Sequence, residues 1–258
     1  MKRPSHYLAL GLALLTAGVL AWPRTGQGAG DAPQQLLVAT APDWDSSQGT
    51  IQGFEREGNG PWKPRLGPFP VLFGKNGLAW GMGVHGDGEA GLHKKERDGR
   101  APAGVFSVGT IYTYDSALPE GSAYPFHQVT IADAWVDDPS LPNYNHFVTI
   151  PDPKNPPAWF GKMKMRHGDF AYRWLVEIRH NSGPVEPGAG SAIFFHIRRG
   201  TTRPTSGCTT MAETNLVKLI RWLRADDHPA YALLPQGEYQ KKWRAWDLPD
   251  PTLLSTNP

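Results

Sequence analysis

Hydrophobic and polar positions along the chain follow a pattern that predicts many short strands. Apolar or alternating runs at residues 35–40, 50–55 and 69–73 are separated by clusters of Asp, Gly, Asn and Pro. Short runs of this kind, joined by turn-forming residues, favour antiparallel pairing. The three runs therefore predict a β-meander near the start of the globular part.

Further along the chain the same pattern continues. Residues 129–135 and 231–234 are predicted strands. Residues 172–179 and 192–197 flank a Gly- and Pro-rich turn, which predicts a hairpin. In such a hairpin His180 lies near one end and approaches the strand that carries His196.

Helical spacing occurs after residue 209. Thr210 and Glu213 match a capping box, with Thr210 as the N-cap and Glu213 at the third helical position. One apolar helical face then consists of Leu216, Leu219, Ile220 and Leu223. The sequence predicts a helix that begins just after Thr210, and a shorter helix is expected over residues 159–167.

The composition supports short strands and frequent turns, since the 258 residues include 29 Gly and 25 Pro. We expect a mainly β fold with a few helices. Residues 31–235 are long enough for one domain of ordinary size. Residues 236–258 are expected to form a C-terminal tail that packs on the surface, with its last dozen residues disordered.

The N-terminal residues resemble a targeting segment. Lys2 and Arg3 precede a largely apolar run at residues 7–22, which at about 16 residues is short for a membrane span. Residues 1–30 are therefore predicted to be a signal peptide with a short linker; a retained anchor is the alternative. In both cases the globular part is exported, to the periplasm or the cell envelope. The formal charge of +2 gives no indication of a nucleic-acid partner.

Cys208 is the only cysteine in the sequence. In an exported protein an unpaired cysteine indicates a reactive thiol, with a small buried hydrophobe as the alternative. The strand at residues 192–197 delivers His196, and a loop then leads to Gly207 and Cys208, which brings a base towards a thiol. Gly207 permits close backbone approach, and the predicted helix start favours a thiolate at Cys208.

A metal site is a competing interpretation for the histidines near residue 90. His85, Asp87 and His93 carry ligand side chains, but no helix supports their spacing and no further ligand is evident. We expect no metal and no cofactor.

Several segments, taken together, resemble the L,D-transpeptidases, whose catalytic domain is of the YkuD type. His196 followed by residues 204–208 (PTSGC) is similar to the catalytic signature of that family. Residues 95–106 resemble the K-E-x-D-G-x-x-P-x-G-x-F stretch of one branch. The other segments that fit this branch are residues 136–140, Tyr144 with Asn145, and His180 with Asn181. The similarity covers roughly residues 35–235.

The resemblance implies a β-sandwich-like domain and a cysteine acyltransferase that acts on peptidoglycan stem peptides. It implies Cys208 as the nucleophile, His196 as the base, and the backbone amides of Gly207 and Cys208 as an oxyanion hole. The thioester on Cys208 would pass to an acceptor stem peptide, or to a lysine of an envelope protein. With water as the acceptor, the protein would be an L,D-carboxypeptidase. Carbapenem-type β-lactams are expected inhibitors.

The chain departs from the better-known branch around the site. Ile197, Ser206 and Thr210 stand where that branch has Gly, His and Arg. Recognition of a substrate carboxylate would then come from another cation, with Arg198, Arg199, Arg203 and Arg166 as the candidates. The expected substrate-binding residues are Ser206, Thr209, Arg198, Arg203, Tyr144, Asn145, Asn181 and His180.

Two other function classes stay open from the sequence. One is a non-catalytic cell-wall-binding domain in which Cys208 is incidental. The other is a metal-dependent peptidase built on His85, Asp87 and other histidines. The group that orients His196 is also open, with a backbone carbonyl and a side chain such as Asn181 as the alternatives.

Overall fold

The structure, a computed structural model, describes residues 32–86 and 88–255 and consists mainly of β-strands. The predicted signal peptide at residues 1–30 and Asp87 lie outside the described residues. The strands of the described chain are β1 (Gln35–Ala41), β2 (Gln48–Glu55), β3 (Lys63–Leu72), β4 (Leu78–Trp80), β5 (Ala101–Thr113), β6 (Phe126–Gln128), β7 (Asp133–Trp135), β8 (Phe147–Thr149), β9 (Trp174–Ile178), β10 (Phe194–Ile197), β11 (Thr209–Met211) and β12 (Ala230–Pro235). The α-helices in these residues are α1 (Phe160–Met163), α2 (Glu213–Trp222) and α3 (Gln236–Lys242).

The main sheet closes on itself. Strands β1, β2 and β3 form the expected antiparallel meander. Strand β12 pairs parallel with β1 and antiparallel with β5, so the order β12-β1-β2-β3-β11-β10-β9-β5 returns to its starting strand. Closure leaves these strands without the unpaired edges of an open sheet. The expectation of a mainly β, sandwich-like fold is confirmed, with closure as the additional feature.

The core lies against both faces of this ring, since every residue of β1 and β12 is buried. Its large, fully buried side chains include Phe54, Phe106, Phe195 and Tyr231. The predicted apolar face of α2 is confirmed, because Leu216, Leu219, Ile220 and Leu223 are all inaccessible to solvent. Among the described residues no helix is long and apolar enough to cross a membrane.

The C-terminal tail joins the same core. Tyr239 in α3 is 1% exposed, and Trp246 and Leu248 are also buried in it. A short 3-10 helix follows at Pro251–Leu253. The expectation of disorder over the last dozen residues is therefore wrong as far as residue 255.

Two predicted elements are shorter than expected. Of the strand predicted at residues 129–135, only Asp133–Trp135 is formed, because the Asp133 carboxylate accepts bonds from the backbone and hydroxyl of Thr130 and closes a turn. The helix predicted at residues 159–167 is limited to Phe160–Met163, since Lys164 is extended and pairs with Ala134.

The predicted capping box is wrong. Thr210 lies in β11, where it pairs with His196 on one side and Leu72 on the other, and its hydroxyl approaches the Leu72 carbonyl at 3.5 Å. The N-cap of α2 is Ala212, which makes no side-chain cap. Sheet pairing, which β-branched threonine favours, prevails over the local cap. A strand therefore separates Cys208 from the helix, and the helix start does not explain the reactivity of its thiol.

Candidate active site

His196 and Cys208 lie on neighbouring strands. Strands β10 and β11 are parallel, with His196 opposite Thr210. Cys208 immediately precedes β11, and it packs with Phe194 in the same hydrophobic cluster. Since alternate residues of a strand share a face, Phe194, His196 and Cys208 point to one side of the sheet. This face is the candidate active site.

The intervening residues face the opposite way. The rings of Phe195 and Tyr231 are 4.6 Å apart in the core. Thr209 is 1% exposed, and its hydroxyl lies 2.9 Å from that of Tyr231. Thr209, expected from the sequence to bind substrate, therefore has its side chain in the core, away from the face that carries Cys208.

The Cys208 thiol is protonated in this state. The side chain is half-buried, and its sulfur donates to the Ala192 carbonyl at 3.5 Å. Burial raises the pKa of the Cys208 thiol to about 11, while the Phe194 backbone amide and the positive charge of Lys94 lower this pKa. Reaction at this sulfur requires a base to remove its proton.

His196 is a buried, neutral imidazole. Its Nδ1 lies 3.0 Å from the Ile197 carbonyl, which accepts a hydrogen bond from the protonated Nδ1 and leaves Nε2 as the basic atom. Burial lowers the pKa of His196 to about 4, although the Ile197 and Ala171 backbones act in the opposite direction. The orienting group that the sequence left open is therefore a backbone carbonyl, and Asn181 does not fill this role.

No ion pair joins the two groups in the described chain. The thiol bonds to Ala192 and the imidazole to Ile197. With the thiol pKa far above that of the imidazole, the resting pair is neutral. Of the two protonation states that the sequence left open, burial of both groups favours the thiol with a neutral imidazole.

Gly207, which precedes Cys208 in the sequence, is closely packed. A Cβ at this position would come within 3.0 Å of the Arg100 carbonyl oxygen and 3.2 Å of Ile193 Cδ1, so no side chain fits without a shift. The Gly207 amide donates to Thr205 Oγ1 at 3.0 Å. Its expected role in an oxyanion hole stays a prediction, and a substrate oxygen would compete with Thr205 for this amide.

An aromatic wall borders the thiol. The ring of Phe194 contacts that of Trp135 edge to face at 4.9 Å and that of Tyr112 at 6.3 Å. Tyr172 contacts the His196 ring at 5.1 Å from the other side. The face that carries the site is therefore largely apolar and water-poor, which is the cause of both pKa shifts.

Asn145 is a buried residue whose side chain joins several segments near the site by hydrogen bonds. Its amide nitrogen donates to the carbonyls of His180 and Asn181 at 3.0 and 2.9 Å. Its carbonyl oxygen accepts from the Trp135 indole and from the Ala192 backbone amide, both at 3.0 Å. Because the Ala192 carbonyl in turn holds the thiol, Asn145 fixes the position of Cys208 through one residue.

His180 and Asn181 hold the loop that leads into β10. His180 accepts from the Met82 amide at 3.2 Å and bonds to the Ala189 carbonyl at 2.9 Å, and burial lowers its pKa to about 4. The Asn181 amide bonds to the carbonyls of Glu186 and Gly190 at 2.9 and 3.0 Å. Both side chains are buried, with their polar atoms bonded to backbone.

Tyr144 belongs to the same buried set. Its hydroxyl donates to Glu96 and accepts from the Gly190 amide at 3.1 Å. For Tyr144, Asn145, His180 and Asn181, contact with a substrate stays a prediction that would require these internal bonds to break. The geometry instead supports a role in shaping the loop.

The candidate cations differ in their availability. Arg203 and Ser206 are exposed on the loop before Cys208, and Arg198 is half-buried just after β10. Arg199 is paired with Asp169 and lies 5.0 Å over the Tyr172 ring. Arg166 bonds to the Val129 carbonyl at 2.7 Å. For Arg198, Arg203 and Ser206, contact with a substrate stays a prediction.

Residues that the sequence did not single out also contribute to the site. The Ala192 carbonyl accepts a hydrogen bond from the Cys208 thiol, and the Tyr172 ring packs against that of His196. The positive charge of the buried Lys94 ammonium lowers the pKa of the Cys208 thiol. The signal for Lys94 is its place directly before the K-E-x-D-G stretch. No signal marks Ala192, since its role depends on its backbone.

His85, one of the histidines near residue 90, packs on an aromatic ring. The His85 ring stacks on Trp246 at 4.3 Å. In the described part of the chain no three His, Cys, Asp or Glu residues form a group that could hold a metal ion.

Comparison with protein families identifies the family of the chain. The model of the L,D-transpeptidase catalytic domain, YkuD, matches residues 56–231, a range that contains both His196 and Cys208. No curated protein and no solved structure gave a significant match. Since the family match spans more than half of the sequence, the chain belongs to the YkuD family of L,D-transpeptidase catalytic domains.

Proposed function

We propose that this protein is a cysteine-dependent L,D-transpeptidase that forms a thioester on Cys208 with peptidoglycan stem peptides. The family acts on peptidoglycan peptides. The observation that supports the proposal most strongly is the shared face of His196 and Cys208, with Nδ1 of His196 bonded to the Ile197 carbonyl. This arrangement leaves a neutral imidazole nitrogen as base and a thiol as nucleophile.

The first half-reaction moves the thiol proton to His196. As the Cys208 sulfur attacks the amide carbonyl of the donor, Nε2 of His196 accepts the proton. The imidazolium then protonates the departing amine, and a thioester remains. Burial raises the pKa of the thiol to about 11 and lowers that of the imidazole to about 4, so the neutral pair is favoured over an ion pair before substrate binds. Proton transfer is therefore coupled to formation of the sulfur–carbon bond.

The second half-reaction uses the same base. An acceptor amine attacks the thioester carbonyl, neutral His196 removes its proton, and Cys208 leaves as a thiol. A second stem peptide as acceptor gives a cross-link, and a lysine of an envelope protein gives an anchor. Water as acceptor would make the protein an L,D-carboxypeptidase with the same site.

The residues proposed to bind the substrate carboxylate lie on the loop between β10 and Cys208. The exposed Arg203 and Ser206 and the half-buried Arg198 would meet the substrate carboxylate. Arg199 is less suited, because its charge is already matched by Asp169. Export to the periplasm or cell envelope, where peptidoglycan lies, follows from the signal-like residues 1–30 and is part of the proposal.

Intact-protein mass spectrometry tests the thioester directly. Incubation with a tetrapeptide donor or with a carbapenem is expected to add one acyl mass to the protein. The Cys208→Ala variant is expected to show no adduct, because it lacks the sulfur. A His196→Gln variant should acylate at least about a hundredfold more slowly, since general-base catalysis is lost.

The control is the folded state of each variant, checked by circular dichroism. An adduct that persists in Cys208→Ala, or a folded wild type that forms none, would contradict the proposal. A wild type that binds purified cell wall without acylation would favour the binding-domain alternative. Digestion of the treated wall and identification of its muropeptides then separates cross-linking from carboxypeptidase products.

A further inference from the structure

The turn of residues 94–100 packs directly behind the cysteine. A Cβ on Gly207 would lie 3.0 Å from the Arg100 carbonyl oxygen and 3.7 Å from Cε of Lys94. A Cβ on Gly190 would lie 3.2 Å from the same Cε. The Lys94 side chain therefore passes between Gly190 and Gly207, next to the nucleophile.

Lys94 is a buried cation. Its side chain is 4% exposed, and its ammonium donates to the Asp98 carboxylate at 2.6 Å and to the Lys95 carbonyl at 2.7 Å. Asp98 is fixed in turn by the backbone amides of Lys95 and Arg100, at 2.8 and 2.9 Å. Burial of an ammonium is costly even when it is paired, and an apolar side chain would fill the space at lower cost.

Several charged and titratable groups surround Lys94. Asp98 faces it from the same turn, and Glu96 is engaged by Tyr144 and Ser191. His180 lies beside it and is neutral, and the positive charge of Lys94 lowers the pKa of that imidazole. The same positive charge also lowers the pKa of the Cys208 thiol.

We propose that Lys94, held by Asp98 behind Gly207, is a positioning residue that stabilises negative charge on the Cys208 sulfur while its proton passes to His196. Strand β11 separates Cys208 from helix α2, so the helix start does not supply this positive potential. The buried ammonium supplies it instead. The place of Lys94 in the reaction rests on the proposed function, whereas its effect on the thiol is a property of the folded protein.

The pH dependence of thiol alkylation measures this effect without any substrate. The rate of Cys208 modification by iodoacetamide, followed by intact mass from pH 6 to 11, gives the thiol pKa. Lys94→Met keeps the apolar stem and removes the charge, so we expect the thiol pKa to rise by about one unit. Alkylation at a fixed pH below the pKa should then slow about tenfold, and Lys94→Arg should largely restore it.

The Asp98→Asn variant distinguishes charge from structure. It removes the counter-charge and leaves the ammonium, so the thiol pKa should fall and alkylation should speed up. Lys95→Met is the matched control, because this neighbouring lysine is exposed, and its alkylation profile should equal that of the wild type. A merely structural role would move the Lys94 and Asp98 variants in the same direction.

The assignment is overturned if Lys94→Met reacts like the wild type, or if Lys94→Met and Asp98→Asn shift the thiol pKa the same way. Circular dichroism and thermal unfolding at each pH identify variants that fail to fold, and the smaller Lys94→Gln change then repeats the measurement. A wild type that forms no donor thioester would refute the proposed function. Opposite pKa shifts in the two variants would still support the Lys94 assignment.

Discussion

His196 and His180 are buried imidazoles that stay neutral because desolvation opposes their charged forms. Both have pKa values of about 4 in the folded protein, against about 6.5 for an exposed histidine. Between these values the unfolded chain binds more protons than the folded one, so the free energy of unfolding decreases as the pH falls. The same burial that keeps His196 neutral, as its proposed role as a base requires, therefore makes the fold acid-sensitive.

Acidification from pH 7 to 4.5 is expected to lower the free energy of unfolding by about 2–3 kcal/mol for each of these two histidines. Glu177 acts in the opposite direction, because burial raises its carboxyl pKa. The difference between wild type and variant isolates the imidazole: His180→Gln and His196→Gln should each lose less stability on acidification. Urea unfolding at the two pH values measures this, and equal losses in all three proteins would contradict it.

At this scale the sequence singled out the proposed nucleophile and the proposed base but not their surroundings. Cys208 and His196 stand out as an unpaired thiol and a histidine at a strand end. Lys94 does not, because a lysine beside a Gly-containing turn is usually exposed. Its burial depends on Gly190 and Gly207, which lie about a hundred residues away in the chain.

At the scale of elements, the site depends on how loops are tied to short strands. Asn145 bonds the turn after β9 to the residue that enters β10, and its backbone is left-handed at φ 56°. Its four side-chain hydrogen bonds and its left-handed backbone conformation affect the free energy of unfolding separately. Substitutions at this one position can distinguish them.

Asn145→Gly removes the side-chain bonds but tolerates the left-handed backbone, and we expect it to cost about 2–4 kcal/mol of unfolding free energy. Asn145→Ala should cost about 1 kcal/mol more, because alanine is strained at positive φ. Urea denaturation of both variants provides the comparison. Asn145→Gly is also expected to slow acylation of Cys208, since Ala192 would lose its anchor. An Asn145→Gly protein as stable as the wild type would show that these bonds contribute little.

Element predictions succeeded where one apolar face of the segment decides its structure. They failed where a distant strand, or a side chain within the segment, bonds to the backbone. The apolar face of α2 is a local pattern, and it is buried as expected. Thr210 fits a capping box locally, but β3 and β10 recruit it into the sheet. Residues 129–135 alternate like a strand, yet the Asp133 carboxylate closes a turn within them.

At the scale of the whole molecule, the C-terminal residues complete the core. Helix α3 packs on β1 and β12, and the Tyr239 hydroxyl donates to the Pro249 carbonyl at 2.8 Å. Arg56 pairs with Asp247 at 2.5 Å, which joins the tail to the end of β2. Composition predicted the β-rich class, but it carries no information on which distant strands pair, so the closed ring and the packed tail had to come from the structure.

Truncation after Pro235 should therefore unfold or aggregate the protein. It removes Tyr239, Trp246 and Leu248, each of which contributes about 2 kcal/mol by burial, against a total stability of about 5–15 kcal/mol for a domain. Truncation after Ser255 is the control and should leave the melting temperature unchanged within about 2 °C. Differential scanning fluorimetry compares the two, and a stable, soluble chain that ends at Pro235 would contradict this expectation.

The closure of the sheet has a consequence for the order of folding. Strand β1 pairs with β12 from Leu36 opposite Ala230 to Ala41 opposite Pro235. A growing chain therefore cannot close this ring of strands until β12, near the end of the sequence, has left the ribosome. Its contacts are mostly between distant positions, which makes folding slow. Slow, late folding would keep the chain extended for the proposed export across a membrane.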